Sequence, residues 1–347
     1  MKLPNLVYCT IRGFCFYRAF LYKLNFFKKG VIPLIKIYKS NESGQFFESE
    51  GIEKGCWINL INPSELEITT VSKKLGIEPD YIKDPLDEEE KSRVEKDDGI
   101  ILIIVDIPVL NTEYELSTFD TIPLGMIVIN DDYFVTVCLK ENPIIQEFAS
   151  NRIKGFFTFK KTRFVLQLLN RMAIYYLRYL KQINRQTDHI ERQLHKSMKN
   201  QELFSLLNLE KSLVYFTTSL RSNEIVMEKM LKFKFLKMYP EDSDIMEDVI
   251  IENKQAIEMA HIYSNILSGM MDAFASVISN NLNIVLKFLT SITIVLSIPT
   301  MVASFFGMNV PLPFNFQNYS HAFASIILIT IVGSLAVTFF LAKRRMF

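Results

Sequence analysis

Cysteine is scarce and poorly spaced for cysteine chemistry: Cys9, Cys15, Cys56 and Cys138 form no CxxC pair. That excludes a cysteine zinc site or a disulfide framework and fits a reducing compartment. The four histidines, His189, His195, His261 and His321, are scattered and offer no cluster for a transition metal. No nucleophile elbow, phosphate loop or zinc-protease helix occurs, so an enzyme reading has no site to stand on. Excess charge is lacking too. The 39 Lys and Arg against 38 Asp and Glu leave +1, which gives no global attraction to nucleic acid.

Three local absences say more. Residues 1–30 contain no acidic residue, whereas Lys2, Arg12, Arg18, Lys23, Lys28 and Lys29 alternate with aromatics such as Phe14, Phe16 and Tyr17. Their apolar runs are too broken for a signal-peptide core or a membrane span. A partly ordered extension and an interfacial helix on anionic lipid both stay open. Residues 156–239 contain no Gly or Pro and are rich in Leu, Lys, Gln, Arg and Glu, which predicts helix. Polar residues around Asn200 break it into two antiparallel helices, and Pro240 is expected to end the second. A third helix begins near Asp242 or Asp244 and is interrupted only by Gly269 and Pro299 as far as Phe306.

The third absence is charge. Phe288–Phe306 and Ala322–Ala342 are uncharged over nineteen and twenty-one residues, and either can cross about 30 Å of hydrocarbon. Two buried core helices are the competing reading, which runs of this length disfavour. Lys343, Arg344 and Arg345 follow the second run, and residues 310–321 have no Lys or Arg. The positive-inside rule therefore puts both termini in the cytoplasm of a multi-pass inner-membrane protein.

Between Val31 and about Leu139 the signals are mixed α/β. Strand-length apolar runs occur at Val31–Ile37, Cys56–Leu60, Ile100–Ile107, Met126–Ile129 and Tyr133–Leu139, with a turn at Asn130-Asp131-Asp132. Asn62-Pro63-Ser64-Glu65 reads as a helix start with Asn62 as the cap and Pro63 in the first turn, and the helix runs towards Leu75. The chain thus divides into a basic aromatic extension (1–30), an α/β domain (31–155), antiparallel helices (156–241) and a stalk (242–287). A first span (288–306), an outer segment (307–321), a second span (322–342) and a basic tail (343–347) follow.

Polar residues in the first span are patterned. Every seventh residue along one seam is Ser276, Asn283, Thr290, Ser297 and Ser304, and the adjacent seam holds Asp272, Ser279, Leu286, Thr293 and Thr300. Between Ile284 and Phe306 only Lys287 and Ser291 are polar off these seams. Lipid cannot face such a stripe. Turned towards the axis of a symmetric helix ring, it lines a wet path for a hydrated ion. Close helix packing, with hydroxyls bonded back to their own carbonyls, is the plainer alternative.

Directly after this span stand Gly307-Met308-Asn309, ten residues after Pro299 and ahead of the second span and basic tail. In that position the triplet closely resembles the signature of CorA-type magnesium channels. The resemblance also covers Trp57–Leu60, Leu75-Gly76-Ile77-Glu78-Pro79 through Asp84, and Lys91–Glu95 leading into Ile100–Val105. It spans about Val31 to the C-terminus.

The resemblance implies a funnel-shaped homopentamer in a lipid bilayer, with an α/β cytoplasmic domain, long stalk helices and two C-terminal transmembrane helices per subunit. Five copies of Asn309 would ring the outer mouth and present amide oxygens to hydrated Mg²⁺, with Gly307 allowing a close turn and Met308 packing behind. Asn283, Leu286, Leu289, Ser297 and Thr300 would occupy pore positions, with Leu286 and Leu289 at a hydrophobic constriction. Leu289 lies off both seams, and its role rests on the resemblance alone. Asp84 and Asp272 match the family's regulatory pair, which joins neighbouring subunits through a bound Mg²⁺ and favours the closed state.

Three departures stand out. Lys83 replaces a frequent acidic residue beside Asp84, Ser297 replaces a bulkier pore residue, and residues 310–321 lack Asp and Glu. The expected function is import of Mg²⁺, with Co²⁺ or Ni²⁺ as further permeants, gated by internal Mg²⁺. Beside it stand transport of Zn²⁺ or another transition metal on the same fold, which the scattered histidines disfavour, and a non-conducting membrane-tethered sensor or scaffold, which the polar seam disfavours. Neither an organic cofactor nor nucleic acid has a binding signal.

Overall fold

A computed structural model of the chain describes residues 35–42, 45–111, 118–197, 200–308 and 321–344. The extension at 1–30, Asn309 with the segment to residue 320, and the tail from 345 lie outside the described residues. The chain forms two compact units, one up to Asn265 and one from Ile266.

The N-terminal unit is built on a seven-stranded sheet in the order β2-β1-β3-β7-β6-β5-β4. The strands are β1 (Ile35–Ser40), β2 (Phe46–Glu48), β3 (Trp57–Ile61), β4 (Arg93–Asp97), β5 (Ile100–Asn111), β6 (Thr118–Ile129) and β7 (Tyr133–Cys138). Neighbours are antiparallel except β3 and β7, which run parallel with Trp57 opposite Phe134. Helices cover both faces, so central strands such as β5, with Leu102, Ile103, Ile104 and Val105 all buried, read as unbroken apolar runs.

Two hairpins fix the register. Asp98 and Gly99, both left-handed (φ 39° and 84°), close β4 on β5 with Asp97 opposite Ile100. The φ of 84° strains any residue with a side chain at Gly99, and a Cβ there would also fall 2.3 Å from Asn130 Oδ1. Asn130 and Asp131 are also left-handed (φ 47° and 59°) and close β6 on β7, as their sequence predicts.

One face of the sheet packs on α1 (Glu65–Leu75) and the short α2 (Asp80–Lys83) through Ile58, Leu60, Ile68, Val71, Ile82, Ile104, Ile127 and Val137. Fully burying such side chains contributes about 1.5–3 kcal/mol each. The cap of α1 is Ser64, not Asn62. Ser64 Oγ accepts from Glu67 N–H while the Glu67 carboxylate accepts from Ser64 N–H, a reciprocal capping box. Asn62 instead adopts a left-handed turn at φ 47°. After α2 comes a single 3₁₀ turn, Asp84–Leu86, whose Pro85 ring sits where a side chain at Gly125 of β6 would be, 2.3 Å from a Cβ there.

The opposite face carries α3 (Pro143–Ala149) and two long helices, α4 (Lys161–Ser197) and α5 (Asn200–Phe233). Trp57 anchors this layer. It is fully buried, donates Nε1–H to Thr136 Oγ1 at 2.8 Å and meets Phe164 of α4 edge-on, with ring centroids 5.1 Å apart. Pro240 does not end α5, which stops at Phe233. It begins α6 (Pro240–Phe306), where its missing N–H costs nothing. The helix α6 is continuous through Gly269 and Pro299, and α7 (Ala322–Lys343) follows.

Candidate functional site

Among the described residues two helices, α6 and α7, are long and apolar enough to cross a membrane. Within the C-terminal unit one face of α6, made by Ser291, Ile292, Val295, Ile298, Val302 and Phe306, is buried or half-buried, and α7 approaches it at Ile298. Gly333 of α7 lies against Ile298, whose Cγ2 would be 3.6 Å from an added Cβ. Ser291 is fully buried and donates to Lys287 O at 2.8 Å, so its proton is committed to its own helix. Sequence periodicity sets Ser291 apart from the seams, and its burial supplies the reason.

The seam hydroxyls lie elsewhere. Thr290, Thr293, Ser297, Thr300 and Ser304 are all exposed in the single chain. At about 100° per residue their mean direction is roughly opposite to the face that meets α7. Thr293, Ser297, Thr300 and Ser304 share a shallow groove of about 650 Å³ with Met301 and Met308. Thr293 donates to Leu289 O at 2.9 Å, Ser297 to Ile294 O at 2.7 Å and Thr300 to Leu296 O at 3.1 Å. With each proton committed to the helix, the oxygen lone pairs are what the hydroxyl offers outward. Such acceptors suit the water hydrogens around a hydrated cation. Closer to the start of the unit, Asp272, Ser276, Ser279, Asn283, Leu286 and Leu289 are exposed as well.

Gly307 ends α6. Its N–H donates to Ala303 O at 2.9 Å, and a Cβ would stand 3.0 Å from that carbonyl, tighter than most side chains accept. Met308 is exposed beside it, and Asn309 is outside the described residues.

Asp84 belongs to the N-terminal unit, at the end of α2. Its Oδ2 accepts from Arg93 Nη2 at 2.6 Å. Arg93 also donates through Nε to Glu95 Oε1 at 2.8 Å and through Nη1 to Glu90 Oε1. Burial opposes the Arg93 charge, but Glu90 and Glu95 together with the bonds to Glu95 and Asp84 outweigh it and hold the guanidinium above its ordinary value. Lys83 turns to Glu65 of α1 at 3.0 Å. Sequence reasoning gave Arg93 no role. The signal was a lone arginine among Asp84, Glu90 and Glu95, but only the fold shows that all three converge on it. Among the described residues, no three His, Cys, Asp or Glu side chains gather as a metal cage within one chain.

A family model described as CorA-like Mg2+ transporter protein matches residues 53–344. The Cobalt/magnesium transport protein CorA of Methanocaldococcus jannaschii is 29% identical over 289 residues, covering 80% of this chain and 87% of the relative. That of Thermotoga maritima is 20% identical over 261 residues, 73% of this chain and 72% of the relative. The complete structure of the CorA magnesium transporter from Methanocaldococcus jannaschii superposes with a TM-score of 0.73 at 23% identity, over 90% of this chain and 97% of that one. That likeness shows the fold: an α/β unit, long helices and two C-terminal apolar helices. The family model, matched over most of the chain, shows that this protein belongs to the CorA-like Mg²⁺ transporter family.

Proposed function

We propose that the protein is the repeating subunit of a divalent-cation channel in which copies of α6, expected to be five, surround a central axis with their hydroxyl face inward. The observation that carries this reading is the division of α6 into two faces. The face that includes Ile298 is apolar but for one buried serine, and the opposite face carries five exposed hydroxyls that none of the described residues of the same chain covers. In hydrocarbon the acceptor lone pairs left on those hydroxyls favour water, a hydrated ion or a second copy over lipid. Family membership supports the ionic reading.

Mg²⁺ holds its water shell reluctantly, so a path lined by acceptor oxygens passes it hydrated. Asn309 forms the outer ring, Thr300 and Ser297 the next levels, and Leu286 with Leu289 the dry constriction. The basic tail and the absence of Lys and Arg from residues 310–321 support a cytoplasmic position for both termini. A membrane potential then supplies about 4.6 kcal/mol per 100 mV for a double charge, so inward movement needs no chemical fuel. Co²⁺ and Ni²⁺ are further permeants of the same charge.

Asp84 of one subunit and Asp272 of its neighbour hold an internal Mg²⁺ that favours the closed ring. Both offer hard carboxylate oxygens, the donors Mg²⁺ takes, and the Asp84 side chain is 35% exposed, open to a shared ion. Bound there, Mg²⁺ offsets the repulsion of two carboxylates from different chains, and its loss loosens the ring.

The test is Mg²⁺ entry into liposomes containing the full chain and a magnesium-sensitive dye. Wild type is expected to conduct, and Asn309→Ala is expected to fall to the level of empty liposomes. Undiminished flux through Asn309→Ala removes that ring from the mechanism. No flux through wild type removes the transport reading as a whole.

A further inference from the structure

Asp84 already has a cation of its own chain, and both partners are held in place. Pro85, the next residue, packs over Gly125 of β6, so closely that a Cβ there would fall 2.3 Å from its ring. Arg93 opens β4, in register opposite Ile104 of β5, and the neighbouring Ser92 hydroxyl donates to Asn223 Oδ1 of α5 at 3.1 Å. The 2.6 Å contact between Arg93 Nη2 and Asp84 Oδ2 therefore joins two anchored backbone segments, unlike a pair of mobile surface side chains. Glu90 and Glu95 fix the other two edges of the guanidinium, so its fork stays aimed at Asp84. Lys83 is turned away to Glu65 and does not compete for the same carboxylate.

A carboxylate with a fixed guanidinium is a poorer ligand for a second cation. Mg²⁺ arriving at Asp84 must displace Arg93 from Oδ2 or share the group with it at like-charge cost. Displacement also leaves the guanidinium with one partner fewer. Arginine keeps its charge throughout the physiological pH range, so this competition does not depend on pH. We propose that Arg93 is an intrachain competitor for Asp84 that raises the internal Mg²⁺ concentration at which neighbouring subunits are bridged. The proposal rests on the reading above that Asp84 takes part in a regulatory Mg²⁺ site.

The experiment measures protection rather than transport. The full chain in detergent micelles is digested with chymotrypsin across a Mg²⁺ titration, and the midpoint of protection is read for wild type, Arg93→Gln, Arg93→Lys and Asp84→Asn. Arg93→Gln is expected to move the midpoint about two- to fivefold lower, the size of one partly exposed charge contact. Arg93→Lys keeps a charge but loses the fork, so its midpoint should fall between the two. Asp84→Asn should lose the Mg²⁺ dependence. A midpoint for Arg93→Gln equal to or above wild type, with Asp84→Asn still losing protection, overturns the competition and leaves the regulatory pair standing. An unshifted midpoint in Asp84→Asn overturns the pair itself and the competition with it. Should Arg93→Gln fail to show a cooperative melt by Trp57 fluorescence, Arg93→Lys decides: a lowered midpoint supports the competition, and any other overturns it.

Discussion

Asn223 exchanges two hydrogen bonds with the backbone of Asp106, accepting from its N–H at 2.9 Å and donating to its carbonyl at 2.8 Å. The reason lies in the sheet. β4 begins at Arg93, opposite Ile104, so β5 runs past its neighbour and exposes the peptide groups of Asp106 on that side. The amide of Asn223 stands in for the missing strand. Tyr176 Oη donates to the same carbonyl at 2.9 Å, so the N–H is the group that depends on Asn223 alone among these bonds.

Asn223→Leu keeps the size and removes the amide. It strands the Asp106 N–H and takes the acceptor from Ser92, at a cost of about 1–3 kcal/mol. Fluorescence of Trp57, the sole tryptophan and fully buried, reports the N-terminal unit directly. Its melting midpoint in the full chain should drop by about 4–8 °C. An unchanged midpoint would mean that water replaces the amide without loss.

Asp106 itself should set a pH dependence. Burial raises its carboxyl above the usual value of 3.8, and the hydroxyls of Ser219 and Ser92, which also serve Thr121 and Asn223, only partly offset this. The folded state then binds the proton more tightly than the unfolded state. The ionised carboxylate is a cost that is fully present above the folded pKa, and stability is regained as pH falls towards 3.8. Asp106→Asn removes that cost. It should melt higher than wild type at pH 7, with the difference closing as pH approaches 4; a constant difference at all pH values would assign the effect to packing.

What the sequence revealed, and what it withheld, follows the range of each interaction. The helices α4, α5 and α6 were legible because a run from 156 to 239 without Gly or Pro, and then two uncharged runs, leave few alternatives. The period of the hydroxyl seam was legible for the same local reason. β4 was not, since Arg-Val-Glu-Lys-Asp has no apolar alternation and lies at the sheet edge, although Asp98-Gly99 beside it carries a strong hairpin signal. The cap of α1 was misplaced by two residues because Asn62 and Ser64 are both good caps, and only Glu67 three residues after Ser64 separates them. Arg93 on Asp84 and Asn223 on Asp106 depend on pairing across 9 and 117 residues, which no local pattern encodes.

Gly333 tests the contact between α6 and α7. An alanine Cβ would meet Ile298 Cγ2 at 3.6 Å, an ordinary van der Waals distance, so Gly333→Ala should be tolerated in the full chain. Leucine at the same place must push the helices apart, a strain of about 1–3 kcal/mol. Gly333→Leu is therefore expected to lower the temperature at which the protein aggregates in detergent, measured by size-exclusion after heating. Equal behaviour of the two variants would place Gly333 outside that contact.

The two faces of α6 make opposite demands on chemically similar residues, and this separates conduction from packing. Thr300→Val keeps the shape and removes an outward-facing oxygen, so a hydrated ion loses one acceptor at every subunit on its path. Even about 1.4 kcal/mol of added barrier lowers the rate tenfold. Ser291→Ala removes a hydroxyl that is fully buried on the other side of α6 and bonded to Lys287 O, away from the exposed seam. Liposome flux normalised to inserted protein should fall about tenfold or more for Thr300→Val and stay within about twofold of wild type for Ser291→Ala. If both variants conduct alike, the hydroxyl face is a helix-packing surface and the path for the ion lies elsewhere.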